Sequence, residues 1–338
     1  MRRLPWPAWL IGAGVILLIV VAVLYVAPSD RYIFLPDEAR PLEPRVEVEN
    51  ENEKPDTNGG GIYYVAVDIR KASILEKTFP SLYEGATLEP VTNVLAEGED
   101  EKAHRRCELA AMRRSQEYAT AVALRALEYR VRTKRLGVAI EGTFSGYPAA
   151  GKLQGCDLIR SVDGTPVRQS EDVTRVLGRK KPGDTVRLVI EREGKRQNLA
   201  LETVPDPRRP GRAFVGISVT EVFDVLQFPV KVSIDLGQVG GPSAGLAFAL
   251  DVMEELGRDV DRGNRVAASG EIFLDGTVAK VGGIKQKTIG ARRSDMDVFL
   301  VPGDNAAEAR RHAKGLRIIP VDSFQQALRA LATLPQKR

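Results

Sequence analysis

The chain has 338 residues, 43% hydrophobic and 28% charged, which is enough for two or three globular domains with real cores. Its net charge is only +4 and its basic residues are scattered, which argues against a nucleic-acid-binding surface. Two histidines, His104 and His312, cannot build a zinc site unaided, and the cysteines, Cys107 and Cys156, form no CxxC pair. We therefore expect no metal, no cofactor and two unrelated thiols, although an oxidising compartment would permit a disulfide.

Residues 8–27 form a predicted transmembrane helix, because the segment AWLIGAGVILLIVVAVLYVA carries no charge. As a helix this length spans about 30 Å, the thickness of a bilayer hydrocarbon core. Arg2 and Arg3 precede it and an acidic stretch follows, so we expect a single-pass cell-membrane protein with a cytoplasmic N-terminus and an extracytoplasmic remainder. A cleaved signal peptide is the alternative, but the apolar run is long and no A-x-A site precedes Pro28.

The next two segments are predicted to connect the anchor to the first compact module. Residues 28–60 are rich in Pro, Glu, Asp and Asn, which favours a linker with little structure. Residues 61–135 read as an α/β segment flanking the following module, with a strand at Ile62–Ile69 and a helix from about Glu101 to Arg132. We assign this segment no chemistry and expect it to pack against that module.

Residues 136–204 show short strands, turns and one helix, and they resemble a PDZ domain of the bacterial protease kind. The resemblance rests on LGVAIEG, GYPAAGKLQGCDLIRSVDGTPV and the hairpin KPGDTVRLVIEREGK. It implies that the loop before Val138 binds a peptide carboxylate and that the peptide extends the sheet as an added strand. The implied peptide-binding residues are Leu136, Gly137, Val138 and Ala139. A β module that serves only as a spacer is the alternative.

A phosphate-binding loop is not expected in this chain. GYPAAGK at 146–152 matches seven positions of the P-loop pattern, but Leu153 replaces the hydroxyl residue that holds Mg²⁺. Pro148 also removes one backbone N–H. The sequence therefore indicates no ATPase module and no ATP requirement.

The candidate nucleophile is Ser243, in a Gly-Gly-Pro-Ser-Ala-Gly run that leads into an apolar helix. At a helix N-terminus, free backbone N–H groups and the helix dipole can stabilise an oxyanion, although a serine that only caps the helix is the common alternative. The candidate base is a lysine of Gly-Gly-Ile-Lys-Gln-Lys, provided that burial lowers its pKa. Spacing alone does not choose between Lys285 and Lys287.

GGPSAGLAFAL, ASGEIFLDGTVAKVGGIKQK and VFLVPGDN together resemble the proteolytic domain of Lon proteases. The resemblance implies that Ser243 is the nucleophile, that Lys287 is its base and that Ser269 supports them. Gly241, Pro242 and Ala244 are the expected oxyanion and supporting residues. The chain departs from long Lon enzymes at the position two before the proline, where they carry an acidic residue and this chain has glycine. The resemblance also implies a ring-shaped homo-oligomer such as a hexamer.

We therefore predict an α/β (α+β) protein with an N-terminal transmembrane helix, a PDZ-like β module and a Lon-type proteolytic domain at residues 212–335. The predicted function is ATP-independent serine endopeptidase activity on peptides or unfolded proteins. Two alternatives stay open: an inactive anchored peptide-binding scaffold, and an α/β-hydrolase-type esterase, because GPSAG also fits G-x-S-x-G. The esterase would need a histidine base, and His312 is the one downstream of Ser243.

Overall fold

A computed structural model of the protein describes residues 6–49 and 59–337, and it confirms the predicted mixture of helices and strands. The helices α1 to α9 are Trp6–Val26, Ile74–Thr78, Val91–Val94, Glu101–Ala126, Ser170–Leu177, Gly245–Glu255, Ile284–Arg293, Ala306–His312 and Phe324–Ala332. The strands β1 to β18 are Pro28–Pro41, Val46–Val48, Gly61–Ser73, Thr87–Pro90, Arg132–Thr143, Leu158–Val162, Thr165–Pro166, Thr185–Arg192, Lys195–Glu202, Val204–Asp206, Arg209–Phe214, Ile217–Gln227, Val232–Ile234, Arg265–Ala268, Glu271–Ile272, Val278–Ala279, Val298–Pro302 and Arg317–Val321.

The main sheet has six strands in the order β18-β17-β14-β3-β1-β4. Strands β18, β17, β14 and β3 are parallel, and β1 and β4 continue the sheet with antiparallel pairing. In β17, Val298 and Leu300 join a core with α4, α6 and α9, whereas Phe299 and Val301 join a core with α7 and α8. Helices thus cover both faces of this sheet, which explains why β17 is apolar at successive positions.

The prediction of an unstructured linker at 28–60 was wrong for its first part. Residues Pro28–Pro41 form β1, and Val46–Val48 form β2, which pairs with β13. Burial of Ile33 and Leu35 in a small apolar cluster holds β1 in place. The prolines did not exclude a strand, because the pairing of β1 with β3 shifts register between Pro36 and Ala39, where a bulge tolerates proline. Residues 50–58 of the predicted linker lie outside the described residues.

The predicted segment at 61–135 contributes mainly to the main sheet and its core. Strand β3 pairs with β14 and β1, at the centre of the sheet. Helix α4 buries Tyr118, Val122 and Leu124 in the core shared with α6. It also contacts the following module, where the Tyr118 hydroxyl accepts a hydrogen bond from Phe223 N at 2.7 Å. The fold around the main sheet is therefore built from residues on both sides of the inserted module.

The inserted module is a sheet in the order β12-β5-β6-β8-β9, with β7 paired to β6. Its core contains alternating residues of β8 (Val186, Leu188 and Ile190) and two valines of α5 (Val173 and Val176). Strand β12 pairs antiparallel with β5 and belongs to this sheet. The predicted start of the C-terminal domain at residue 212 is thus too early, because the strand signal there completes the module rather than opening a new domain.

The expectation of two unrelated thiols was wrong, because Cys107 and Cys156 form a disulfide. Cys107 lies on α4 and Cys156 lies in the turn before β6, and their Cα atoms are 5.7 Å apart. The packing of α4 on the module brings together two residues that are distant in sequence. The disulfide therefore links the module covalently to α4, which packs on the main sheet.

Helix α1 projects its apolar surface away from the rest of the described chain. Its span Trp9–Val26 is apolar and long enough to cross a membrane, and none of it is buried inside the protein. The helix ends beside α2, where Ile74 N donates to Ala27 O at 2.9 Å. The basic residues Arg2 and Arg3, on which the predicted orientation rests, lie outside the described residues.

Candidate active site

The Ser243 loop is held from three directions by neighbouring backbone and hydroxyl groups. Gly241, with φ of +86°, donates its N–H to Glu108 O at 3.0 Å. Ser115 Oγ donates to Pro242 O at 2.8 Å. Ser243 O accepts from Gly270 N at 2.8 Å and from Ser269 Oγ at 3.1 Å. The loop thus has a fixed shape where it enters α6.

Lys287 lies in the first turns of α7, with its amine against Ser243. The Lys287 Nζ atom is 2.7 Å from Ser243 Oγ and 3.2 Å from Ser269 Oγ. Gly283 starts α7 in the left-handed conformation, φ +66°, where a Cβ would meet Val67 Cγ2 at 2.7 Å. Lys285 points elsewhere, with its Nζ 3.2 Å from Ala86 O. The geometry therefore places Lys287, and not Lys285, beside the serine.

The Lys287 amine is removed from water, and this changes its acidity. The Lys287 residue is only 4% exposed to solvent. Burial lowers the pKa of Lys287 to about 8, because the charged ammonium loses its hydration. A large fraction of such amines is neutral near pH 8, so the nitrogen lone pair is available to accept a proton from the serine hydroxyl.

The residues expected to bind an oxyanion are only partly suited to it. The Gly241 N–H is already used by Glu108 O, and Pro242 has no N–H. Within the described residues, the N–H groups of Ser243 and Ala244 donate to no protein acceptor. Both precede α6, at the positive end of its dipole. The geometry therefore shifts the candidate oxyanion donors from Gly241 to Ser243 and Ala244.

Sequence analysis missed Glu108, a residue of α4 that lines the cleft leading to Ser243. This cleft has a volume of about 1220 Å³. A Cβ at Gly240 would lie 2.9 Å from Glu108 Cβ, and one at Gly241 would lie 3.0 Å from Glu108 Oε2. Burial raises the pKa of the Glu108 carboxyl. Glu108 thus fills the space beside the glycine that replaces an acidic residue, and no local sequence signal pointed to it.

His312, the base that the esterase alternative requires, is not among the described residues that line this cleft. It lies at the end of α8, which packs against α7. The group within hydrogen-bonding distance of Ser243 Oγ is the amine of Lys287. The site geometry therefore disfavours histidine-based chemistry.

The predicted peptide-binding residues Leu136, Gly137, Val138 and Ala139 lie inside β5, and their role in peptide binding stays a prediction. Strand β5 pairs with β12 on one side and with β6 on the other. Its backbone groups are therefore not open to a peptide. Strand β12 is one edge strand of this sheet, and β9 is the other. Gly216, at φ +82°, precedes β12, and Ser170 N of α5 donates to Glu221 Oε1 at 3.2 Å. The Val-Gly-Ile signal at 215–217 is similar to Leu-Gly-Val at 136–138 and could have indicated this strand.

Comparison with known proteins identifies two parts of the chain. Residues 221–333 match the Lon protease (S16) C-terminal proteolytic domain, and residues 126–203 match the PDZ domain. Lon protease 2 of Bacillus subtilis is 32% identical over 110 residues, covering 32% of this chain and 19% of that protein. Lon protease 1 of Sorangium cellulosum is 42% identical over 82 residues, covering 23% of this chain and 10% of that protein.

Among solved structures, the PDZ domain of an SdrC-like protein from Listeria monocytogenes is 27% identical, with a TM-score of 0.23. The match covers 25% of this chain and 87% of that domain. The chain spans less than a fifth of the length of the curated Lon proteases that it matches.

Proposed function

We propose that Ser243 and Lys287 form the catalytic dyad of a serine peptidase. This activity is indicated by the Lon-type proteolytic domain, which the chain carries together with a PDZ domain. The observation that carries the proposal is the 2.7 Å distance between Lys287 Nζ and Ser243 Oγ, in a place where the amine is buried. A serine hydroxyl needs a base to become a nucleophile, and a desolvated lysine is suited to that role.

In the proposed reaction, neutral Lys287 accepts the proton of Ser243 Oγ while that oxygen bonds to the substrate carbonyl carbon. The Ser243 and Ala244 N–H groups donate to the resulting oxyanion. Lys287 then gives its proton to the departing amine, and the peptide C–N bond breaks to leave an ester on Ser243. Water hydrolyses this ester with Lys287 again as base. Ser269, 3.2 Å from the amine, orients Lys287 throughout.

Substrate recruitment is proposed to use the open edge of β12. An extended peptide can add to an exposed strand through backbone hydrogen bonds, and Gly216 gives the preceding turn its positive φ. The peptide would lie between β12 and α5. This arrangement supports selection of unfolded or C-terminally exposed segments, which are the substrates that the PDZ domain favours.

The remaining parts of the proposal concern location and energy supply. Helix α1 anchors the chain in the cell membrane, with the N-terminus cytoplasmic and the proteolytic part on the extracytoplasmic side. Cleavage does not require ATP, because the GYPAAGK run lacks the hydroxyl that binds Mg²⁺. We also expect a homo-oligomeric ring such as a hexamer, by analogy with Lon domains.

The test is cleavage of an unstructured protein by the purified full chain in detergent, without nucleotide. Ser243→Ala and Lys287→Ala should abolish cleavage, and Lys287→Arg should be equally inactive because arginine does not give up its proton. Lys285→Ala and His312→Ala are the matched controls and should keep activity. Full activity of Ser243→Ala would instead support the scaffold alternative. Strict dependence of cleavage on ATP would contradict the proposed ATP-independent mechanism.

A further inference from the structure

Three carboxylates gather at the C-terminal end of α6, far along the helix from Ser243. They belong to Glu254, near the end of α6, and to Asp259 and Asp261 in the loop before β14. One oxygen from each lies within 4.8 Å of the others. Oxygens that bind one Ca²⁺ at about 2.3–2.6 Å lie within about 5 Å of each other. The spacing therefore fits ligands of one such ion.

A second observation is the buried and unsatisfied oxygen of Asp261. The residue is only 2% exposed, and its Oδ2 has no hydrogen-bond partner in the described part of the chain. Its Oδ1 accepts from Gly263 N at 2.6 Å. A buried carboxylate oxygen without a partner is costly, and such groups are normally paired or bound to a metal. This buried, unpaired oxygen is therefore the strongest indication of a ligand-binding site.

The Asp261 and Glu254 side chains line a small cavity of about 50 Å³. Glu254 Oε1 accepts from Val260 N and Asp261 N, both at 2.7 Å, which holds the carboxylate in position. Gly60 and Gly61 form another wall of this cavity. About 10–15 Å³ of such space is enough for one water, so the cavity has room for one ion together with a few waters.

The charge around this cavity also favours a cation. Among the described residues, no lysine or arginine forms an ion pair with Glu254, Asp259 or Asp261. The cavity lies beside the last turn of α6, where the helix dipole is negative. Glu43 adds a further carboxylate to the lining.

We propose that Glu254, Asp259 and Asp261 bind one Ca²⁺ ion, which holds the end of α6 to the start of β3. Oxygen ligands in an irregular loop suit Ca²⁺ better than Mg²⁺, which demands near-ideal octahedral geometry. The ion has a structural role, since it binds at the opposite end of the helix from Ser243. The expectation of no metal was based on histidine and cysteine, whereas this cluster consists of carboxylates.

The test uses the full chain in detergent after treatment with EDTA. Tb³⁺ is the probe, because Tyr63 lines the same cavity and can sensitise its luminescence. We expect saturable luminescence that Ca²⁺ displaces, and a Ca²⁺-dependent rise in unfolding temperature with an apparent Kd of about 10⁻⁴–10⁻³ M. Asp259→Asn changes an exposed ligand and should weaken Ca²⁺ binding at least tenfold without unfolding the protein.

Asp275→Asn, an exposed aspartate of the same proteolytic part, is the matched control and should bind like the wild type. The proposal is overturned if Ca²⁺ up to about 10 mM, well above the expected range, gives neither displacement nor stabilisation. That result would mean that Glu254 and Asp261 share a proton instead. Unchanged binding by Asp259→Asn would also overturn it. The readout is binding, so neither result depends on peptidase activity.

Discussion

Replacing Lys287 with methionine should abolish cleavage and at the same time stabilise the fold. The pKa of the Lys287 amine falls from 10.5 to about 8 on burial. At pH 7 this shift costs the folded state about 3 kcal/mol relative to a freely solvated lysine. Methionine has a similar length without the charge, so it removes this cost.

Part of that gain is offset by contacts that the amine makes. Ser243 and Ser269 lose a hydrogen-bonding partner, which together costs about 1–2 kcal/mol. We therefore expect a net stabilisation of about 1–2 kcal/mol at pH 7, a rise of about 2–8 °C in unfolding temperature for a domain of this size. The assay is scanning calorimetry of the full chain in detergent.

The pH dependence of the free energy of unfolding tests this prediction most directly. Between pH 8 and 10.5 the unfolded chain still binds a proton at Lys287 while the folded chain does not, so wild-type stability rises with pH across this window. The advantage of Lys287→Met should be constant below pH 8 and shrink toward pH 10.5. Lys285→Met, on the same helix and half-buried, is the control. Equal unfolding temperatures at pH 7, or a difference that does not shrink, would refute a buried amine with a lowered pKa.

Three further predictions address catalysis and stability. The rate of peptide cleavage should fall about tenfold per pH unit below about 8, since only neutral Lys287 accepts the serine proton; a flat profile from pH 6 to 9 would contradict this. Gly241→Ala places a side chain at φ +86° and against the Glu108 carboxylate, so kcat should drop about 10–100-fold. In the control variant Gly282→Ala the new methyl group meets open space, so activity should be retained. Similar kcat values for the two variants would contradict this prediction. The Cys107→Ser/Cys156→Ser double variant loses a cross-link between residues 49 apart, so its free energy of unfolding should be lower by about 4 kcal/mol. Calorimetry of the wild type and the variant, with and without reductant, measures this difference. A wild type whose unfolding temperature does not change with reductant would contradict the prediction.

Local sequence patterns were sufficient to predict an element where the residues concerned are neighbours in the sequence. The glycine-rich turn before α6 and the apolar repeat within it lie in one contiguous stretch, so both could be recognised without knowing the fold. Spacing in the sequence could not choose between Lys285 and Lys287. The choice depends on how α7 packs on the sheet, where Gly283 lies close to Val67, and this is a tertiary contact.

Long-range pairing explains what the sequence did not reveal. Strand β1 reads as polar and proline-rich because only residues such as Ile33 and Leu35 are buried, and its partner β3 lies beyond the predicted linker. Glu108 reaches the cleft only because α4 packs on α6. Two similar Gly-containing patterns precede β5 and β12, and only the order of strands shows that β5 is internal and β12 is at an edge.

The pairing of β3 with β14 joins Gly61 to Arg265, with the whole PDZ module between them in the chain. During synthesis from the N-terminus, β3 must wait for its partner, whereas the module from β5 to β12 is contiguous and can fold as soon as it emerges. Ser243 emerges before β14, and Lys287 emerges after it. If the proposed dyad is correct, a nascent chain cannot assemble it until Lys287 has been made and β14 has paired with β3.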